Sequence, residues 1–158
     1  MLRNMVIVSI LVVAPLFAFS QEYNTAIGIR GGFAQGLTIK HFIGQQKALE
    51  GILATRWGGY SIIGLYEINK PINDADGLSW FYGLGGHIGF WDSADNRGWW
   101  PNDTGQKTVI GFDLIIGLEY TIPNAPINFQ LDYKPAFHFV GYQGTGWDGG
   151  AFSVRFTL

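Results

Sequence analysis

Three histidines, His41, His87 and His138, and a scatter of singly spaced charges are the side chains with chemistry to offer in this 158-residue chain. The absence of cysteine removes thiol nucleophiles, Cys-ligated zinc and disulfide scaffolds together. No serine neighbours His41 in sequence. Asp92, Asp95, Asn96 and Asp103 offer oxygen atoms of the kind calcium takes, but lack the regular spacing and closing Glu of an EF-hand, so they read as solvated loop charges. Gly83, Gly85, Gly86 and Gly89 fall on an alternating segment, where small residues make room for long neighbours, and form no phosphate loop. Neither catalysis nor a resident metal or cofactor is expected.

The charges fall in a pattern. Arg30, Lys40, Arg56, Lys134 and Arg155 are five positive groups, matched by five negative ones, Glu50, Glu67, Asp113, Glu119 and Asp132. Each sits on one parity of a segment whose other parity is apolar, and His87 and His138 share the charged parity. Successive side chains of a β-strand point to opposite faces, so a two-residue period separates two surfaces. Residues 126–140 show it best: Ile127, Phe129, Leu131, Tyr133, Pro135, Phe137 and Phe139 oppose Asn128, Gln130, Asp132, Lys134, Ala136 and His138. The same split recurs over 27–33, 37–43, 49–57, 60–68, 78–91, 108–120 and 152–158. The spacing therefore predicts eight strands in one all-β domain.

Only 14% of residues are charged and 16% are aromatic, which excludes a disordered chain. The net charge of −2 gives no footprint for nucleic acid. Residues 1–20 place Arg3 before an apolar run, Met5 to Phe19, with small Ala18 and Ser20 ahead of Gln21. That is the layout of a cleaved secretory signal peptide, and the run is short for a spanning helix. Residues 21–158 are then the mature domain.

Ten charges on alternate positions are too sparse for a soluble surface, and the Arg and Lys among them would each cost about 2–4 kcal/mol facing lipid at the bilayer midplane. They are expected to line a lumen, with the greasy parity facing membrane. Backbone polar groups in lipid must pair within the protein, which requires a closed antiparallel up-and-down barrel. Eight strands leave an interior that side chains fill, so a plugged, charge-compensated lumen is expected. Trp57, Tyr60, Trp91 and Trp147 would form an external aromatic belt, and Trp80, Tyr82 and Tyr120 a periplasmic one. External loops are expected near 34–36, 57–59, 92–107 and 141–150, and turns near 44–48, 69–77 and 121–126. Ten strands is the alternative, if the third loop forms its own hairpin. Trp99 and Trp100 in that loop would stack on a sugar, dock a partner or dip into the outer leaflet.

A signal peptide, eight amphipathic strands and the terminus AFSVRFTL resemble the small outer-membrane β-barrels of Gram-negative bacteria, in particular the transmembrane domain of outer membrane protein A and its relatives. The ending, with Phe152 and Phe156 alternating with polar residues, is similar to the signal read by the barrel assembly machinery, although Leu158 stands where Phe is commonest. The resemblance implies an outer-membrane location with both termini periplasmic. Its expected partners are outer-membrane lipid and lipopolysaccharide, the assembly machinery during insertion, and an undefined protein at the external loops. A structural or interaction role is expected, and the alternatives are a narrow channel or a lipid A-modifying enzyme. Some relatives of the latter kind use a surface His near the external rim, and His41 is expected to face lipid two to four positions below the first external loop.

Two local expectations follow. Pro135 cannot donate to a ladder, so a bulge or local unpairing is expected at Lys134–Pro135, leaving the facing of His138 open. Within the lumen, Arg155 and Arg30 are expected to share Asp113, Glu119 and Asp132, while Lys134 and Arg56 serve Glu50 and Glu67.

Overall fold

The computed structural model describes residues 24–56, 59–92, 106–140, 144–146 and 149–158. Its strands are β1 (Thr25–Gly32), β2 (Gln35–Phe42), β3 (Lys47–Arg56), β4 (Gly59–Pro71), β5 (Leu78–Asp92), β6 (Gln106–Thr121), β7 (Ile127–Tyr133), β8 (Ala136–Val140), β9 (Gly144–Gly146) and β10 (Gly150–Thr157). Each pairs antiparallel with its neighbour, β10 closes on β1, and β5 pairs with β6, so the sheet shuts into a barrel. β7 and β8 are two halves of one stave, both paired to β6, which makes eight staves around the wall. The three-residue β9 adds to β8, inside what the sequence suggests is the fourth loop.

Both chain ends of the barrel meet at one rim, where the Leu158 amide donates to the Thr25 carbonyl at 2.7 Å. The connections 43–46, 72–77 and 122–126 share this terminal rim; Gly77 (φ 82°) and Asn124 (φ 69°) supply the left-handed conformation that two of them need. The other end is the loop rim. The third-loop residues 93–105, including Trp99 and Trp100, lie outside the described residues, as do Trp57, Trp147 and residues 1–23. The third-loop hairpin of a ten-strand barrel falls there too.

The two faces separate as the period-two pattern requires. Ile29, Leu37, Ile62, Leu84, Leu114, Leu131 and Phe152 are exposed on the outside, while Arg30, Lys40, Glu50, Glu67, Asp113, Glu119, Asp132, Lys134 and Arg155 are buried within. Gly86 departs from the small-inward reading, since its position is exposed on the outer parity. Pro135 interrupts the ladder between β7 and β8 as expected, yet it adds no residue. Ile116 faces Tyr133 below the break and Asp113 faces Ala136 above it, so the register carries through. The Leu114 amide still bonds the Pro135 carbonyl at 3.0 Å. The bulge comes higher, where Gly111 faces His138 but Ile110 faces Val140, leaving Phe139 as the extra residue. His138 therefore keeps its inward parity.

Of the described aromatics expected in two belts, four are exposed on the outer wall and one turns inward. Trp80, Tyr82 and Tyr120 are exposed at the terminal end, with Trp80 and Tyr82 stacked at 5.4 Å. Tyr60 is exposed near the loop rim against Phe90. Trp91 does not join that outer belt. It shares the inward parity of His87 and Gly89, and its ring lies across Gly59 and Gly89, where any Cβ would clash with it. Two glycines thus give the indole a bed on the inner side of the wall.

Candidate functional site

Among the described residues the lumen gathers the buried charged side chains, and closure decides which of them meet. Arg30 on β1 forks onto Asp132 on β7, with both nitrogen–oxygen distances 2.6 Å. Bidentate geometry of this kind is the strongest that the pair can adopt. Gln130 donates to the same carboxylate at 3.1 Å and to Glu50 at 3.4 Å, linking Arg30 to the next cluster. There Arg155 pairs with Glu50, and also donates to Thr38, Asn128 and Gln130. Towards the terminal rim, Lys40 bridges Glu67 at 2.7 Å and Glu119, and stands 4.5 Å from the Phe81 ring centroid. Asn69 donates to Glu119 at 3.3 Å.

A second group lies towards the loop rim. Lys134 holds Asp113 Oδ1 at 2.7 Å, and Asp113 Oδ2 meets His87 Nδ1 at 2.7 Å. His87 Nε2 then meets His138 Nδ1 at 2.8 Å, with the two rings nearly perpendicular. A carboxylate only accepts, so in a neutral His87 the Nδ1 proton points at Asp113 and leaves Nε2 to accept from a proton on His138 Nδ1. Gly111 makes this possible, because a Cβ there would lie 2.1 Å from the Phe137 carbonyl and 2.6 Å from His87 Cε1. Gly111→Ala is expected to cost about 1–3 kcal/mol as an overpacked core substitution. Urea unfolding of the refolded barrel, followed by Trp fluorescence, measures it; an unchanged midpoint would show that the His87 ring does not rest there.

Ten of the sequence-assigned interior residues, Arg30, Lys40, Glu50, Glu67, His87, Asp113, Glu119, Asp132, Lys134 and Arg155, are buried inside the wall. His138 is half-buried beside His87, and the side chain of Arg56 lies outside the described residues. The expected pairings need correction. Arg30 takes Asp132 as anticipated, but Arg155 takes Glu50, Lys134 takes Asp113, and Lys40, given no partner in advance, takes Glu67 and Glu119. Staves tilt and stagger in a closed barrel, so partners shift along the axis and meet across the lumen, beyond the adjacent strand. Thr38, Asn128 and Gln130 share the inward parity but are uncharged, and a reading keyed to charge passes over them. Asn69 stands one residue past the expected end of its strand.

His41 also needs correction. It stands next to last in β2, at the terminal rim rather than below the first loop, and is exposed with Nδ1 2.8 Å from Thr25 Oγ1. Among the described residues no group of three metal-binding side chains comes together.

The fold and its interior define a class, a closed eight-stranded antiparallel barrel with apolar residues outside and a paired polar network inside. No protein-family model matches the chain, and no curated protein matches it in sequence.

Proposed function

We propose that this protein is a small outer-membrane β-barrel with a structural or interaction role and a plugged lumen. One observation carries the reading: the faces are reversed relative to a water-soluble protein. Ile29 is 65% exposed, Leu84 62% and Leu131 58%, whereas Lys40 and Asp113 are fully buried. Soluble monomers rarely expose apolar surface continuously, and a girdle of it marks a surface that meets lipid or a partner. Exposed Trp80, Tyr82 and Tyr120 at one end and Tyr60 at the other suit two interfaces. Export through residues 1–20, with lipid and lipopolysaccharide around the barrel, completes the proposal. The mature chain is expected to refold only with lipid or detergent and to float with vesicles on a density gradient. A monodisperse monomer in plain buffer would overturn the membrane reading.

The interior supports a closed plug. Arg155, Lys40, Phe81 and Lys134 are among the largest fully buried side chains, and they project from β10, β2, β5 and the β7–β8 junction into the same space. Planar-bilayer recording of the pure protein is expected to show no reproducible conductance steps; such steps would replace the plug with a narrow channel. For the enzyme alternative, the terminal-rim position of His41 puts it at the periplasmic end if both termini are periplasmic, away from the outer leaflet that holds lipid A. Mass spectrometry of lipid A is expected to be the same with and without the protein.

A further inference from the structure

We propose that His87 and His138 form a binding site for a late first-row divalent cation, Zn²⁺, Cu²⁺ or Ni²⁺, with Asp113 and Lys134 as its positioning residues. Four features converge on two nitrogen atoms. Asp113 holds the Nδ1 side of His87 at 2.7 Å and so turns the Nε2 lone pair away from itself. That carboxylate–histidine arrangement orients an imidazole for a metal and raises its basicity. Lys134 anchors the other oxygen of Asp113 at 2.7 Å, so the carboxylate cannot swing round to replace the ring. Gly111 opens the backbone-lined bed in which the His87 ring lies. Immediately beyond His138 the strand carries its bulge at Phe139, a device that re-aims neighbouring side chains.

The chemistry of the pair suits the exchange of a proton for a metal. His87 Nε2 and His138 Nδ1 stand 2.8 Å apart, sharing one proton between two lone pairs. A cation bound at about 2.0–2.1 Å to each nitrogen at a tetrahedral angle needs them about 3.3 Å apart. The rings therefore have to part by about half an ångström and each turn by about 35°, so that lone pairs facing one another in the hydrogen bond converge on the cation. His87 is buried and His138 half-buried, and water would fill the other coordination positions of the cation. Two imidazole donors select Zn²⁺, Cu²⁺ or Ni²⁺ over the oxygen-seeking Mg²⁺ and Ca²⁺. The metal takes the place of the shared proton, which moves to Nε2 of His138, so both rings bind as neutral imidazoles.

Titration calorimetry of the refolded barrel with ZnCl₂ and, separately, CuCl₂ tests the site. One equivalent of either metal is expected to bind, with at least tenfold weaker binding in His87→Gln and in His138→Gln. His41→Gln, altered at the opposite rim, should leave the affinity unchanged. Asp113→Asn is expected to weaken binding about 10–100-fold, the usual effect of removing the partner that orients a ligand. Absence of binding, or equal loss in the His41 variant, would overturn the proposal. If a substituted barrel fails to refold, the Cu²⁺ electron paramagnetic resonance spectrum of the unsubstituted protein still decides it. Hyperfine splitting from two imidazole nitrogens is expected, and bound copper with none or one rejects the pair.

Discussion

Arg155→Ala is expected to destabilise the refolded barrel by about 3–5 kcal/mol, the cost of leaving a buried ion without its partner. Arg155 is 1% exposed, and its guanidinium serves Glu50, Thr38, Asn128 and Gln130 together. Its removal takes from the Glu50 carboxylate its salt-bridge partner and leaves the uncharged Thr38 hydroxyl and a long bond from Gln130 among its donors inside the wall. Lys47, exposed at the start of β3, supplies the comparison: Lys47→Ala should change stability by no more than about 0.5 kcal/mol. The loss arises from the charge left behind, so removing both charges should cost less than removing one. Arg155→Met combined with Glu50→Leu is accordingly expected to recover at least half of the single-variant loss, because apolar replacement of a buried pair is often neutral. Urea unfolding in vesicles provides all three values. Small and equal effects of Arg155→Ala and Lys47→Ala would show that Arg155 does not sit in a packed interior.

The reason Arg155 was identifiable as an interior residue, while its partner was not, lies in what a two-residue period contains. Parity assigns a face to every position of a strand, and the outside-or-lumen choice for Val154, Arg155 and Phe156 follows from their types alone. His138 shows how robust this is: parity survives Pro135 because the unpaired stretch has equal length on both strands. Pairing across the lumen depends instead on stagger, a property of the whole closed sheet that no local pattern records. Glu50 lies 105 residues from Arg155 in the chain and reaches it only once β10 has closed on β1. The His87–His138 contact was hidden for the same reason, and nothing in the spacing of the two residues announces it. Trp91 failed differently. As a ring at a strand end it suggested a belt, but its parity pointed inward, and Gly59 and Gly89 left the space that parity required. Where residue type and parity disagreed, parity was the better guide.

Leu84→Arg is expected to cost about 2–4 kcal/mol in a bilayer, the penalty for a cation on the lipid side near the midplane of a barrel. Leu84 is 62% exposed near the middle of β5, paired with Tyr66 on one side and Leu114 on the other, both of outward parity. Tyr60→Arg, close to the loop rim, should cost about 0–1 kcal/mol, since the penalty fades where the side chain reaches water. The contrast separates the two environments open to a greasy exterior. An exposed leucine on a water-facing barrel has no apolar contacts to lose, and its replacement by arginine would stay within about 0.5 kcal/mol at any height. In lipid the cost must instead depend on depth, because the desolvation of the guanidinium does. The measurement is the unfolding free energy of each variant refolded in vesicles of one composition. A central cost several times the rim cost supports a membrane around β5; equal and small costs would put its outer face in water and overturn the membrane reading, although the buried network would remain.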